Sequence, residues 1–596
     1  MHRLVYLLAI TLVLLLACSA PPKKQHTSSS KIATQNDYAI SSAHPLATQA
    51  GIEILQQGGN AFDAAVAVTT VLAVVEPYAS GLGGGGFWLL HLNEVDRNVM
   101  IDGREMAPLA ATRDMYLDHN GKPGKKSVNG PLAAGIPGTP AALVHIAENY
   151  GRLPLATTLG AAIRIARNGF ETSEFYSKRV NAVFERIKSF PQTAEIFLQQ
   201  GEKPKAGYVL QQPELASVLE SISNHGTDGF YRGDVAKKLV ASVQHAGGIW
   251  TLQDLENYKI IERQPIIGKY KNLHIVSASL PSSGGIVMMQ VLNMLSDFDL
   301  QAMSDVERKH LLVEAMRRAY HDRAEHLGDI DFVQVPVEEL LSKQHAQKRF
   351  VDFSMQHATP SKDYLQSDII NSQPLPKNLS HNLVEEAQNT THFSILDQQG
   401  NHVAATLSIN YFFGSGFVAE GTGVLLNNEM DDFVIQPGHA NLWGLAGSEA
   451  NAIEPGKRML SSMSPTFLYD DQRTAILGTP GGSRIISMVL LSTLAFAEGA
   501  SVLDMVQLPR FHHQFLPDEI QFESDASGKH TGIHSQTRDS LQAMGHTLKD
   551  LRRSYGNMHA IVWDRQSNKV NAASDPRGIG RAHVGPQIGS QSEAQQ

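Results

Sequence analysis

Apolar residues recur along this chain first at helical spacing and later at strand spacing. Residues 40 to 76 read as helical. His44-Pro45 suits a helix start, with proline in the first turn, and Gly58-Gly59-Asn60 ends that helix. A second, largely apolar helix covers Ala61 to Val75 and stops at Pro77. The run Gly81-Leu82-Gly83-Gly84-Gly85-Gly86 then precedes an apolar strand, Phe87-Trp88-Leu89-Leu90. A phosphate-cradling loop would continue into Gly-Lys-Ser/Thr and a helix; neither follows, so the run reads as a tight turn with close backbone packing. Between residues 140 and 350, helical patterns such as Leu311 to Arg323 alternate with short apolar strands such as Leu273 to Ser279, without an internal repeat. From Ser361 to Asn389 the chain turns polar, with Pro374 and Pro376, as a linker or processing segment does. Beyond it the pattern is strand-rich, over Thr391 to Asn410, Val424 to Asn427 and Thr474 to Gly478. Helical and strand-rich segments in one body imply stacked α and β layers.

Two of these strands carry chemistry. Thr391 to Asp397 and His402 to Asn410 flank the three-residue turn Gln398-Gln399-Gly400, with glycine available for a left-handed position. In that register Asp397 faces Asn401, Ser394 faces Ala404 and Thr390 faces Ser408. Side chains alternate between faces. Val403, Ala405, Leu407 and Ile409 therefore point to the core, while Thr390, His392 and Ser394 share the other face with Thr406, Ser408 and Asn410. The Ser408 hydroxyl and the Asn410 amide then lie beside Thr390; a slip of one residue would undo this. A threonine hydroxyl is a weak nucleophile unless a base sits beside it, and a free α-amine on the same residue can be that base. A cut between Asn389 and Thr390 would create both at once. Threonine and serine also suit a solvated strand face, and asparagine suits a turn, so the hairpin alone leaves both readings open.

Composition narrows the class. The chain has 596 residues, 42% hydrophobic and 18% charged, enough for a large core and more than one structural unit. Its formal net charge of -9 is mild, and no Lys/Arg run provides a nucleic-acid footprint. Mean hydropathy is slightly negative, unlike a polytopic membrane protein. At the N-terminus, Arg3 is followed by an apolar run from Leu4 to Ala17, broken only by Thr11. The run is short of the ~20 residues of a spanning helix and matches an export signal. It ends at Leu15-Leu16-Ala17-Cys18, and Cys18 is the sole cysteine, so no intramolecular disulfide forms. The pattern resembles a bacterial lipoprotein signal with Cys18 lipidated; Ser19 rather than Asp follows, as in outer-membrane sorting. Residues 1–17 are then the signal and 18–38 a tether rich in Pro, Lys and Ser, and a periplasmic, lipid-anchored protein is expected.

Several motifs stand in order along the remainder. They are Asp102-Gly103-Arg104-Glu105-Met106-Ala107-Pro108, Asn389-Thr390-Thr391-His392-Phe393-Ser394 and Leu425-Leu426-Asn427-Asn428-Glu429-Met430-Asp431-Asp432-Phe433. Leu460-Ser461-Ser462-Met463-Ser464-Pro465-Thr466, Gly478-Thr479-Pro480-Gly481-Gly482-Ser483-Arg484, Pro509-Arg510-Phe511-His512-His513-Gln514 and Ala573-Ser574-Asp575-Pro576-Arg577 follow. With these, the chain from about Ala39 to Val584 resembles the γ-glutamyltransferase (glutathione hydrolase) family of N-terminal-nucleophile hydrolases.

The resemblance implies an α+β fold, a four-layer αββα sandwich made as one precursor. Cleavage at Asn389-Thr390 would give a large subunit, 39–389 with 361–389 as processing segment, and a small subunit, 390–596, which stay paired. It implies Thr390 as the catalytic nucleophile on glutathione and other γ-glutamyl amides, with water or an amino acid or peptide as acceptor. It implies Arg104, Ser461 and Ser462 for the substrate α-carboxylate, a planar fork suiting a carboxylate. Glu429, Asp432 and the Asn410 amide oxygen are implied for the α-ammonium, Ser408 as the hydroxyl beside the nucleophile, and Gly481-Gly482 as the oxyanion hole. No cofactor is required and no metal site is expected: adjacent His512 and His513 point apart in a strand, with no carboxylate at ligand spacing. Some positions depart from the family pattern. Serine stands at 408 where threonine is frequent, Glu429 where some members have Gln, and Tyr411-Phe412 replaces smaller polar residues, which bears on acceptor access. The segment Gln436 to Lys457 resembles a lid with Trp443 at its tip. A glutaryl or β-lactam side-chain acylase and a non-catalytic lipoprotein paralogue are the other readings.

Overall fold

The computed structural model describes residues 37–364, 389–438, 440–525 and 531–586. The signal, Cys18 and nearly all of the tether and processing segment therefore lie outside the described residues.

Two antiparallel sheets carry the architecture. In chain order their strands are β1 (Tyr38–Ser42), β2 (Gly85–Leu92), β3 (Arg97–Gly103), β4 (Ile261–Arg263), β5 (Ile266–Tyr270), β6 (Leu273–Ser277), β7 (Thr390–Leu396), β8 (His402–Ser408), β9 (Thr466–Tyr469), β10 (Arg473–Gly478), β11 (His559–Asp564), β12 (Lys569–Ser574) and β13 (Arg581–Gly585). The seven-stranded sheet runs β13-β1-β7-β8-β2-β3-β4, and the six-stranded sheet runs β12-β11-β10-β9-β6-β5. Strands from either side of Thr390 are thus interleaved in the first sheet, and in the second the β9–β6 pairing joins a block of four later strands to two earlier ones.

Helices cover the outer faces. Over the seven-stranded sheet lie α1 (Pro45–Gln56) and α2 (Ala61–Val75), and over the other lie α3 (Gly284–Met294), α4 (Asp305–His326) and α5 (Ile485–Ala497). The α2 sequence is apolar on all sides because it is buried throughout. Asn60 caps it with a full capping box, and Asp397 from the β7–β8 turn accepts a further hydrogen bond from Ala61 N at 2.9 Å. One core lies between these helices and the first sheet, and the other spans the inter-sheet space and the second helical layer. The four layers are the αββα sandwich.

The expected hairpin register holds, with Thr390 opposite Ser408 and Ser394 opposite Ala404. Two features differ from the sequence reading. Residues 40–42 belong to β1 rather than to a helix, because β13 and β7 pair with them on both sides. The second hairpin strand ends at Ser408, and Asn410 takes a left-handed φ of 71°. The polar face of the hairpin is also not solvated. Phe393, Ile395, Val403 and Ala405 pack under the helices, while the Thr390, His392 and Ser394 face meets the second sheet. Its polar groups find partners there: His392 bridges Thr406 Oγ1 (2.9 Å) and Ser394 Oγ (3.2 Å), and Ser394 donates to the His559 carbonyl at 3.0 Å. Burial holds the His392 imidazole neutral, with a pKa far below its ordinary value.

Gly478 leaves the room that His392 fills: a Cβ there would sit 2.3 Å from the ring. Gly478→Ala is expected to wedge the sheets apart and cost about 1–3 kcal/mol, read as a lower midpoint of thermal unfolding. An unchanged midpoint would refute this account of the inter-sheet packing.

Candidate active site

Thr390 opens β7 beside the end of β8, so the backbone ladder sets its position. Its Oγ1 lies 3.3 Å from Ser408 Oγ. Asn410 reaches the site by a route that strand alternation does not describe. The chain leaves β8, reverses through the left-handed Asn410, and the Asn410 N–H donates back to Ser408 Oγ at 2.8 Å. Thr390, Ser408 and Asn410 line one pocket with Arg104, Glu429, Asp432, Ser461, Ser462 and Gly482. Residues drawn from segments spread over more than 350 positions of sequence are brought together.

Arg104 is the electrostatic centre. It is buried at the end of β3 and pairs with Glu429 (2.7 Å) and Asp432 (2.6 Å), and Glu105 lies 3.6 Å away. Arg104 therefore faces three carboxyl groups, with Arg323 as a second cation on the pocket wall. Desolvation and mutual repulsion raise the Glu105 and Glu429 pKa values, Arg104 opposing the rise in each. Ser461 and Ser462 lie at the pocket wall, where Ser461 Oγ accepts from Met463 N (3.1 Å) and Ser462 Oγ accepts from Arg323 Nη2 (3.3 Å). Arg323, on α4, is a pocket residue that sequence reasoning does not reach; its helix carries other buried arginines, and nothing local marks this one. Ser483 also lines the pocket, and its hydroxyl is held by Gln514 at 2.6 Å.

Gly481 and Gly482 have φ values of 147° and 59° and lead through a short 3-10 turn into α5. Such a backbone suits glycine, and the turn brings Gly482, Ser483 and Ile485 at the head of α5 to the pocket wall. Gly482 is on the pocket wall; Gly481 is not among the lining residues. A Cβ at Gly482 would meet the Trp443 ring at 2.3 Å.

Trp443 closes the space. Its ring stacks on Tyr411 with centroids 4.9 Å apart, and its Nε1 donates to Asn410 Oδ1 at 2.8 Å. The Asn410 oxygen expected to meet a substrate ammonium is thus occupied by the indole in this conformation. The remaining cavity is about 30 Å³, room for no more than a few water molecules. Asp431 ties the same segment: it accepts from Leu442 N (3.2 Å) and Ser127 Oγ (2.8 Å).

His512 and His513 do point apart, to Ser487 and to Asp518, but a carboxylate is present: Asp518 lies 3.2 Å from His513 Nε2. The proline turn Leu516-Pro517 brings it back, which spacing along a strand does not anticipate. Among the described residues His310, Glu314 and His546 are also grouped closely. Arg317 and Arg318 occupy the Glu314 carboxylate, and the two imidazoles hydrogen-bond each other at 2.7 Å, an arrangement of ion pairs rather than of open ligands. No helix among the described residues is long and apolar enough to cross a membrane.

A four-layer sandwich with a threonine heading a central strand, beside a charged pocket and a glycine turn, defines an N-terminal-nucleophile hydrolase. The family model described as gamma-glutamyltranspeptidase matches residues 47–585, and the chain belongs to that family. It is 40% identical to the glutathione hydrolase proenzyme of Escherichia coli over 546 residues, 91% of this chain and 90% of the relative. The crystal structure of Helicobacter pylori gamma-glutamyltranspeptidase is similar at 38% identity and a TM-score of 0.53, covering 56% of this chain and 97% of that one. A cephalosporin acylase from Bacillus halodurans shares the fold, with a TM-score of 0.77 at 24% identity over 95% of this chain and 98% of that one.

Burial raises the Asp431 carboxyl to a pKa of about 7, against which its hydrogen bonds to Ser127 and Leu442 act. An acid raised on folding binds more protons folded than unfolded, so it lowers stability as pH climbs from about 4 to about 7. Asp431→Asn keeps the shape and removes the titration. The variant is expected to gain stability relative to the parent across that window, on the order of 1 kcal/mol per pH unit, measured by denaturant unfolding at several pH values; parallel profiles would contradict it.

Proposed function

We propose that this chain cuts itself between Asn389 and Thr390 and then acts as a γ-glutamyltransferase and glutathione hydrolase. In the precursor, Thr390 Oγ attacks the Asn389 carbonyl carbon, the peptide bond gives way to an ester, and water hydrolyses the ester. Thr390 then carries an α-amine that takes the proton of its own hydroxyl. The hydroxyl attacks the γ-amide carbon of the donor, the leaving amine takes a proton, and the γ-glutamyl ester passes to water or to an amine.

The observation that carries the reading is the meeting of Thr390 and Ser408 with Arg104, Glu429, Asp432, Ser461 and Ser462 around one pocket. A γ-glutamyl donor brings a carboxylate and an ammonium on one carbon. The carboxylate is bound by Arg104 with Ser461 and Ser462, the ammonium by Glu429, Asp432 and the Asn410 oxygen. Such a zwitterion adds no net charge, so it can part Arg104 from its acids while leaving every charge balanced. A glutaryl group would bring a carboxylate without an ammonium and leave Glu429 and Asp432 without the cation they would otherwise hold, which disfavours the acylase reading. Gly481 and Gly482 supply N–H groups to the oxyanion, each such donor contributing about 3 kcal/mol. The indole of Trp443 and the segment 436–457 move aside to admit the donor and close behind it.

Residues 1–17 are read as an export signal and Cys18 as the lipidated residue, which would place the enzyme in the periplasm on the outer membrane through residues 18–38. The support is the sequence pattern of charge, apolar run and lone cysteine.

Expressed protein should resolve on a denaturing gel into two bands, the smaller beginning at Thr390, and should turn over a γ-glutamyl anilide far faster than a glutaryl anilide. Thr390→Ala should leave one uncut, folded band without activity; a Thr390→Ala protein that still releases glutamate defeats the mechanism. Cys18→Ser should move the protein from the membrane fraction to the soluble periplasmic fraction, and an unchanged distribution would count against the anchor.

A further inference from the structure

Arg186, on the short helix Phe184–Lys188, lines a cavity of about 950 Å³. Trp443 walls this cavity and also the Thr390 pocket, so the two spaces share one indole. The adjacent acids of the turn Glu429–Asp432 divide between them: Asp432 lines the smaller space and Asp431 the larger.

The guanidinium of Arg186 is under-used. Its stem packs on Gly416, where a Cβ would lie 2.8 Å from Arg186 Cγ, and its Nη2 donates to the Phe412 carbonyl. Its Nε is buried without a hydrogen-bond partner, and so is the hydroxyl of the neighbouring Tyr411. Among the described residues no carboxylate pairs with it. The fully buried arginines of the pocket and core are matched: Arg104, Arg317, Arg318 and Arg510 hold carboxylates, Arg323 holds Ser283 and Ser462, and Arg484 grips Gln521 with two donors. Desolvation lowers the Arg186 pKa to about 10. A partly buried cation without a counter-charge is poorly compensated, and five fixed donors with most unengaged form a receptor for a carboxylate.

We propose that the larger cavity is the acceptor site of the transfer reaction and that Arg186 binds the carboxylate of an incoming amino acid or short peptide. The inference rests on the function proposed above and names a specificity-determining residue for its second half-reaction. The polarity suits such an acceptor: Arg186 meets the carboxylate, and the amine end lies toward Asp431 and Trp443, next to the pocket that holds the γ-glutamyl ester. The apolar walls of Val183 and Phe184 accommodate an acceptor side chain. In the transfer step the neutral amine nitrogen bonds to the ester carbonyl carbon, the bond to Thr390 Oγ breaks, and the proton lost by the amine restores the threonine hydroxyl. Tyr411-Phe412 holds the site from the other side, through the Phe412 carbonyl and the Tyr411 stack on Trp443.

The experiment compares glycylglycine with glycylglycinamide as acceptors from a γ-glutamyl anilide, taking the ratio of their kcat/KM values in each enzyme. The parent is expected to favour the free carboxylate by ~10-fold or more, the effect of one charge-assisted contact. Arg186→Gln should bring the ratio close to one, and Arg186→Lys should retain part of it. A parent that accepts both compounds equally, or an Arg186→Gln enzyme that keeps the parent's ratio, overturns the proposal. Should Arg186→Gln fail to mature, the parent and Arg186→Lys ratios still decide. Self-cleavage and acceptor-free glutamate release are followed in the same samples; their absence from the parent would remove the underlying function instead, so the two failures are told apart.

Discussion

The pairing of Thr390 with Ser408 in the middle of the seven-stranded sheet is the constraint from which the site follows. Backbone ladders on both sides of the β7–β8 hairpin fix the threonine to within a hydrogen bond of its neighbour. The Asp397 carboxylate fixes the turn, accepting from Gln399 N and Asn401 N while reaching Ala61 N at the head of α2. For the nucleophile proposed above, a rigid strand fixes the main chain that carries the hydroxyl, which is what near-attack chemistry demands. The same ladders would hold the threonine after the proposed cleavage before it.

Around that fixed point the charges are held in tension. Arg104 is fully engaged by acids, and the acids outnumber it, so protons are retained on Glu105 and Glu429 at higher pH than usual. Such a cluster is poorly explained as a stabilising device, since buried ion pairs seldom repay their desolvation. It fits the substrate-binding role proposed above, a receptor that keeps its own charges in register until a zwitterion exchanges places with them. Trp443 belongs to the same economy of contacts: its N–H satisfies the Asn410 oxygen while the space beneath it is too small for a substrate.

Much of this was legible in the sequence because it is local or periodic. The helices at 45–56 and 61–75 announce themselves by proline, glycine and apolar spacing, and the hairpin register follows from a three-residue turn. The motifs around Arg104, Glu429, Ser461 and Gly481 mark the pocket through resemblance. What escaped depends on tertiary packing. Residues 40–42 are too few to declare a strand, and only the partners on both sides make them one. The burial of His392 and Ser394 depends on a second sheet whose approach no alternation within the hairpin encodes. Asn410 arrives by a left-handed reversal rather than by strand continuation. Arg323 and Arg186 are single residues on helices whose neighbours carry charges of their own, and only the cavities they face set them apart.

The strand order has one more consequence. In the first sheet β1, contributed by the segment before Thr390, lies between β13 and β7 from the segment after it, and β8 in turn lies against β2. The proposed scission before Thr390 would therefore sever the covalent thread without exposing a strand edge. Two halves synthesised separately would each begin life with raw, unpaired margins, the templates on which chains aggregate. On the cleavage proposed above, the single polypeptide serves as its own assembly jig: it weaves the sheets while continuous, and the cut would be safe only because the weaving is already finished.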